Sequence, residues 1–165
     1  MLRSRDACLM RALFLDWGGT LALTKDNRTV VDAEGRPVLM PNVAATLARE
    51  RSHFGACFIV SNQARVSRGE ISEAEVLRRF AWANEQLGRP FTDCRLCPHA
   101  DGDGRECRKP RPGMFLELAR RYDVNLREST HVGDSEKDRD AAAAAGIGTF
   151  VWAPEFFGWA PPRGR

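Results

Sequence analysis

Leu13-Phe14-Leu15-Asp16-Trp17-Gly18-Gly19-Thr20 decides the fold. Three apolar residues stop abruptly at a carboxylate, and a glycine pair follows. A short apolar run bounded by turn residues reads as a buried strand. The glycines after it make a turn whose free backbone N–H groups suit an anion. Outward from this stretch the same pattern recurs. Phe58-Ile59-Val60 stops at Ser61-Asn62-Gln63, and Thr130-His131-Val132 stops at Gly133-Asp134. A poorer strand near Arg95-Leu96 precedes Arg108-Lys109-Pro110, and Ile147 to Trp152 supplies a last strand.

Amphipathic segments separate these runs. Pro41 to Arg51 opens at a proline suited to a first helical turn and carries Val43, Leu47 and Ala48. Ser72 and Glu75 have capping-box spacing before Val76, Leu77, Phe80, Ala81 and Leu87, and Gly88 ends that helix. Pro112 stands at the head of a helix with Phe115, Leu116, Leu118 and Ala119 inward, while a helix from Glu136 through Ala145 stops at Gly146. The alternation predicts a three-layer α/β/α domain around a parallel sheet with no large cap. One domain is expected over 1–165, with a core at about 9–152 and a Pro/Gly/aromatic tail, 153–165, folding back across the sheet edge. The polar segment Thr24 to Met40 predicts a hairpin or loop over that edge.

Composition narrows the function classes. The 165 residues are 43% hydrophobic and 28% charged, values of a soluble globular chain. No stretch approaches the ~20 apolar residues of a membrane span. Leu9 to Trp17 is broken by Arg11 and Asp16 and has no cleavage site, so it does not read as a signal peptide, and the default compartment is the cytoplasm. A net charge of +3 with dispersed arginines argues against a nucleic-acid surface. The odd count of five cysteines argues against a disulfide framework.

In a parallel sheet the carboxyl ends of the strands line one crevice, where ligands bind. Asp16, Ser61-Asn62-Gln63, Arg108-Lys109 and Asp134 therefore converge. Carboxylates suit Mg²⁺, lysine and backbone N–H groups suit a phosphoryl group, and a strand-end aspartate can act as a nucleophile. Phosphoryl transfer is the reaction class this set predicts.

These motifs, in this order from Leu13 to about Trp152, resemble the haloacid dehalogenase superfamily. Ser61-Asn62-Gln63 followed by Ser67-Arg68-Gly69, and Cys107-Arg108-Lys109-Pro110-Arg111-Pro112-Gly113-Met114, resemble its capless phosphatases, the branch of the heptose-bisphosphate and histidinol-phosphate enzymes. The resemblance implies a Mg²⁺-dependent hydrolase of a small phosphorylated metabolite acting through an aspartyl-phosphate. Asp16 would be nucleophile and Mg²⁺ ligand, with the Gly18 carbonyl and Asp134 completing the protein ligands and Asp138 supporting them. Ser61 and Lys109 would hold the transferring phosphoryl group, and Asn62, Gln63, Arg68 and Arg108 would touch the substrate. A monomer without nucleic-acid or membrane partners is expected. A polynucleotide 3′-phosphatase is the alternative enzyme.

The chain departs from the family at Gly18, where Asp-x-Asp-Gly-Thr would place the acid/base aspartate. Three readings follow: a phosphatase with another acid (Glu34, Glu70 or water), a slow or phosphotransferring enzyme, and a noncatalytic phosphate-binding relative. Cys97, His99 and Cys107 resemble a structural zinc loop in which Arg105 replaces one ligand and Cys94 could supply the fourth. The competing reading makes these cysteines small packed residues.

Other residues carry plainer expectations. His131 reads as a core histidine, His53 as a helix-end surface residue, Cys8 and Cys57 as packing, and Trp17 as packing or a pocket edge. Arg49 to Arg51 and Arg78-Arg79 read as solvated helix faces, whereas the loop of Arg65 and Arg68 faces the proposed pocket.

Overall fold

The computed structural model describes residues 9–159, so Cys8 and the end of the tail lie outside the described residues. Five parallel strands form one sheet: β1 (Ala12–Leu15), β4 (Ala56–Asn62), β5 (Asp93–Cys97), β6 (Thr130–Gly133) and β7 (Thr149–Trp152), in the order β5-β4-β1-β6-β7. A hairpin of β2 (Thr24–Lys25) and β3 (Arg28–Thr29) stands apart from it. Asp26 and Asn27 take the left-handed turn of that hairpin, a conformation short polar side chains tolerate.

The apolar strands are buried on both faces because helices cover both. Leu13, Leu15, Cys57 and Ile59 pack toward α1 (Val43–Glu50) and α3 (Glu73–Gln86) through Leu47, Val76 and Phe80. The alternate residues Ala12, Phe14, Phe58 and Val60 pack toward α4 (Gly113–Tyr122) and α5 (Glu136–Ala145) through Met114, Phe115, Leu118 and Ala142. This is the strand period of two read twice, and it gives the expected three layers. A four-residue helix, α2 (Ala64–Ser67), follows β4 directly, and no cap domain interrupts the described residues.

Helix starts differ from expectation by a residue or two. α1 begins at Val43 because Asn42 is left-handed (φ 63°), so Pro41 stands outside the helix. Pro112 is the N-cap of α4 rather than its first residue. At α3 the Ser72 hydroxyl accepts from the Glu75 N–H, but the Glu75 carboxylate pairs with Arg78 and Arg79, so only half of the capping box forms. The tail begins as α6 (Ala153–Phe157). It folds back as expected, with Phe157 in the core and the Trp159 indole N–H donating to the Pro41 carbonyl at 2.6 Å.

Candidate active site

The site is built at the carboxyl ends of the strands. The Asp16 N–H donates to the Val132 carbonyl at 3.0 Å, which carries the β1–β6 ladder one residue past β1 and fixes the direction of that aspartate. Ser61 and Asn62 close β4, and Asp134 follows β6. Lys109 comes from the long loop between β5 and α4. The Asn62 amide grips its peptide: Nδ2 donates to the Lys109 carbonyl and Oδ1 accepts from the Lys109 N–H, both at 3.0 Å. Asn62 also lines the cleft, where one N–H of Nδ2 remains beyond the bond to Lys109.

Lys109 is 2% exposed and its ammonium has three acceptors: Asp16 Oδ1 at 2.8 Å, the Val60 carbonyl at 2.9 Å and Asp138 Oδ1 at 2.6 Å. Three donors meeting three acceptors fix one geometry for this side chain. Asp138 stands in the first turn of α5, where its Oδ2 accepts from the Ser135 hydroxyl at 2.7 Å, the Ser135 N–H at 3.1 Å and the Asp134 N–H at 3.3 Å. Both of its oxygens are therefore spent on protein donors. Beneath it, His131 is buried edge-on to Phe115, donates from Nδ1 to the Phe14 carbonyl at 3.1 Å and sets Nε2 3.5 Å from Asp138. It is the core histidine expected, and it also borders the site.

Charge crowding sets the electrostatics. Burial and the repulsion of Asp138 push the Asp16 carboxyl up from an ordinary 3.8 to about 7 against the pull of Lys109. Burial and Asp138 also raise Asp134. Burial disfavours charge on Asp138 as well, but Lys109 and His131 outweigh it and hold this carboxyl low. For Lys109, burial works to lower the pKa and the two carboxylates more than reverse it. Two carboxylates that resist ionisation together, with a third fixed beside them, make a place for a cation. Oxygens of Asp16, Asp134 and Asp138 lie within 4.8 Å of one another. With Asp138 saturated, the Asp16 and Asp134 carboxylates are the groups left to face an ion, and hard oxygens fit Mg²⁺. The glycine turn is shaped to this arrangement. Gly19 has φ +75°, and a Cβ there would collide with the Asp134 carboxylate.

The cleft above these groups, about 460 Å³, gathers Gln63, Arg65, Arg68 and Arg108 as expected. The Gln63 amide donates to the Ser61 hydroxyl at 2.9 Å. Arg65 and Arg68 share Glu70, at 2.9 and 2.6 Å. Arg108 and Lys137 share Asp101, at 2.8 and 2.9 Å. Lys137 and Asp101 are not legible in the sequence because they meet only across a loop. Arg79 also lines the cleft and is not the solvated residue expected. It follows Val76 by three positions and so shares the inward face, a signal the helical period carries. Trp17 is buried on Phe80, with ring centroids 4.6 Å apart, and its indole N–H donates to Thr29 Oγ1 at 3.0 Å, tying down the hairpin.

Position 18 has ordinary backbone geometry, but a Cβ there would stand 3.0 Å from the Thr24 methyl. The Thr24 side chain would have to give by a few tenths of an ångström to admit a side chain there. Glu34 is tied to Arg36 at 2.8 Å, and neither it nor Glu70 lines the cleft, so neither supplies the missing carboxyl.

The zinc expectation is corrected. Cys97 and Cys107 lie side by side, with Cα atoms 5.5 Å apart. Cys94 and Cys97 are three residues apart on β5, an odd spacing that sends them to opposite faces. Cys94 packs on the α1–α3 side and Cys97 on the α4–α5 side. Cys94 therefore cannot complete a site with Cys97, His99 and Cys107, and this loop does not fit a tetrahedral structural zinc. The acidic trio is the sole cluster of metal-binding type among the described residues. No helix among them is long and apolar enough to cross a membrane.

A parallel sheet carrying a strand-end aspartate, a buried lysine and a second acidic loop at one edge defines a phosphoryl-transfer class of hydrolase. A family model of the haloacid dehalogenase-like hydrolases matches residues 12–146, and the chain belongs to that family. It is 36% identical over 154 residues to the D-glycero-beta-D-manno-heptose-1,7-bisphosphate 7-phosphatase of Rhodopseudomonas palustris, covering 87% of this chain and 84% of that one. The enzyme of the same name from Bordetella bronchiseptica is 33% identical, with 86% and 80% covered. The solved D,D-heptose 1,7-bisphosphate phosphatase of B. bronchiseptica, complexed with magnesium and phosphate, superposes with a TM-score of 0.75 at 31% identity, covering 85% of this chain and 79% of that one.

Proposed function

We propose that this chain is a Mg²⁺-dependent phosphatase of a small phosphorylated metabolite of sugar-phosphate type, with Asp16 as the nucleophile. The observation that carries the reading is the Lys109 ammonium bound between Asp16 and Asp138 while Asp134 faces the same space. Mg²⁺, when bound by Asp16 and Asp134, supplies positive charge to the phosphoryl oxygens and lets three anions share one site. The chain's own groups do the rest. Lys109 fixes Asp16 Oδ1 and leaves Oδ2 to attack phosphorus. The Ser61 hydroxyl, held by Gln63, is placed to donate to a phosphoryl oxygen. The rim cations Arg65, Arg68, Arg108 and Lys137 receive the anionic remainder of the substrate.

The magnesium and phosphate complex of the Bordetella relative supports the ion and the ligand class. The named heptose-bisphosphate relatives support a sugar phosphate. The rim cations already carry Glu70 and Asp101 as counter-charges, which argues against the long cationic track a polynucleotide needs. A panel of phosphate esters assayed with and without Mg²⁺, using native protein and Asp16→Asn, tests the proposal. Phosphoryl transfer that survives loss of Asp16 or of Mg²⁺ would overturn it.

A further inference from the structure

Phosphoryl transfer to Asp16 has two proton requirements. An alkoxide leaving group must be protonated as it departs, and the water that later attacks the phosphoaspartate must give up a proton. General acid–base groups serve both, and they must stand within hydrogen-bond reach of the reacting oxygen. The carboxylates of the cleft are otherwise engaged. Asp16 is the nucleophile, Asp134 faces the metal position, and both oxygens of Asp138 accept from protein donors. Asp101 is pinned at the rim by Arg108 and Lys137, which hold its carboxyl at about 2 and so keep it unprotonated at neutral pH. Around Gly18, the position at which the family resemblance places the acid/base aspartate, the lining residues are Thr24, Asn27 and Thr29, none of which titrates near neutral pH.

We infer that this chain takes phosphoryl groups from donors whose leaving group departs as a stable anion, and that the group then persists on Asp16. The inference rests on the nucleophilic role proposed above and specifies the donor class. In the first step a bond forms between Asp16 Oδ2 and phosphorus while the bond from phosphorus to the leaving oxygen breaks. The electron pair leaves with that oxygen. When the donor is an acyl phosphate, the product is a carboxylate anion that needs no proton. A primary sugar phosphate, the class proposed above, must expel an alkoxide, so it passes through the same phosphoaspartate more slowly than an acyl phosphate does. In the second step water attacks the same phosphorus, the bond from phosphorus to Asp16 Oδ2 breaks and Asp16 leaves as a carboxylate. The proton that water sheds passes to solvent, because no base among the described residues of the cleft is free to take it, so release of inorganic phosphate lags behind transfer.

The Thr24 methyl makes this state testable in reverse. The backbone at position 18 lies outside the left-handed region, and only that methyl comes within 4 Å of a Cβ built there. Gly18→Asp together with Thr24→Ser removes the obstruction and supplies a carboxyl. The experiment incubates native protein, Asp16→Asn, Gly18→Asp and Gly18→Asp/Thr24→Ser with Mg²⁺ and either acetyl phosphate or a hexose 6-phosphate. Intact mass and phosphate release are followed together. Native protein is expected to gain the mass of one phosphoryl group from acetyl phosphate, to lose it slowly, and to show no adduct after Asp16→Asn. The double variant is expected to turn over the hexose phosphate about 10²–10⁴-fold faster than native protein and to carry little adduct. Rapid multiple turnover of the hexose phosphate by native protein, with no adduct and less than about a tenfold gain from the double variant, would overturn the inference and leave the phosphatase reading standing. No adduct and no phosphate release from either donor, in native protein and in the double variant alike, would overturn both.

Discussion

Asp16→Asn is expected to stabilise the metal-free protein while abolishing its chemistry. The carboxyl at position 16 is raised from 3.8 to about 7 by burial and by Asp138. A group whose pKa is higher in the folded state contributes stability below its unfolded pKa and loses it as pH rises through the folded value. Each tenfold change in proton affinity is worth about 1.4 kcal/mol, so the loss is about 2 kcal/mol at pH 5 and about 4 kcal/mol at pH 8. Asparagine is a neutral stand-in that keeps an oxygen for the Lys109 ammonium and never ionises. The variant should therefore exceed the native protein in stability, by about 2–3 kcal/mol more at pH 8 than at pH 5. Urea unfolding in chelator at the two pH values measures this difference. Adding Mg²⁺ should then favour the native chain alone, by about 2.7 kcal/mol at a hundredfold excess over Kd. An Asp16→Asn stability gain that is equal at both pH values would refute the reasoning, because it would mean that ionising Asp16 costs the fold nothing.

Lys109→Met, which leaves Asp16 and Asp138 buried without their cation, should cost about 3–5 kcal/mol at pH 8 and less at pH 5, where Asp16 takes a proton; urea midpoints at both pH values check the trend. Gly19→Ala should abolish the Mg²⁺-dependent rise in melting temperature, since the new methyl meets Asp134 at a φ of +75° that alanine resists. Phe14→Ala empties a position packed between Phe58 and Phe115, at ring distances of 5.3 and 5.2 Å. It should cost about 3–5 kcal/mol in equilibrium unfolding without shifting the pH dependence.

Much of this site can be read from the chain because a buried strand that ends in a polar residue announces where its side chain goes. Asp16, Ser61 and Asp134 are legible on that ground, and the period of two then forces the two-faced core of Leu13, Phe14 and Leu15. What escapes reading depends on contacts between distant segments. The grip of Asn62 on the Lys109 peptide joins β4 to a loop far along the chain, and Asp101 finds Arg108 and Lys137 only after folding. Cys94 misleads for a different reason. Sequence proximity suggests a shared metal, while strand geometry sends residues three apart in opposite directions. Helix starts slip where a left-handed Asn42 or a capping Pro112 replaces the expected first turn.

The paired cations at the mouth have a consequence for how tightly anything anionic can be held. Arg65 and Arg68 lean on Glu70, and Arg108 and Lys137 lean on Asp101. An incoming anion must therefore share these cations with a tethered competitor at each side or displace it, trading one ion pair for another. Such an exchange discriminates by shape and reach more than by charge. It also leaves the resident carboxylates ready to reclaim their partners, which speeds departure of the spent molecule.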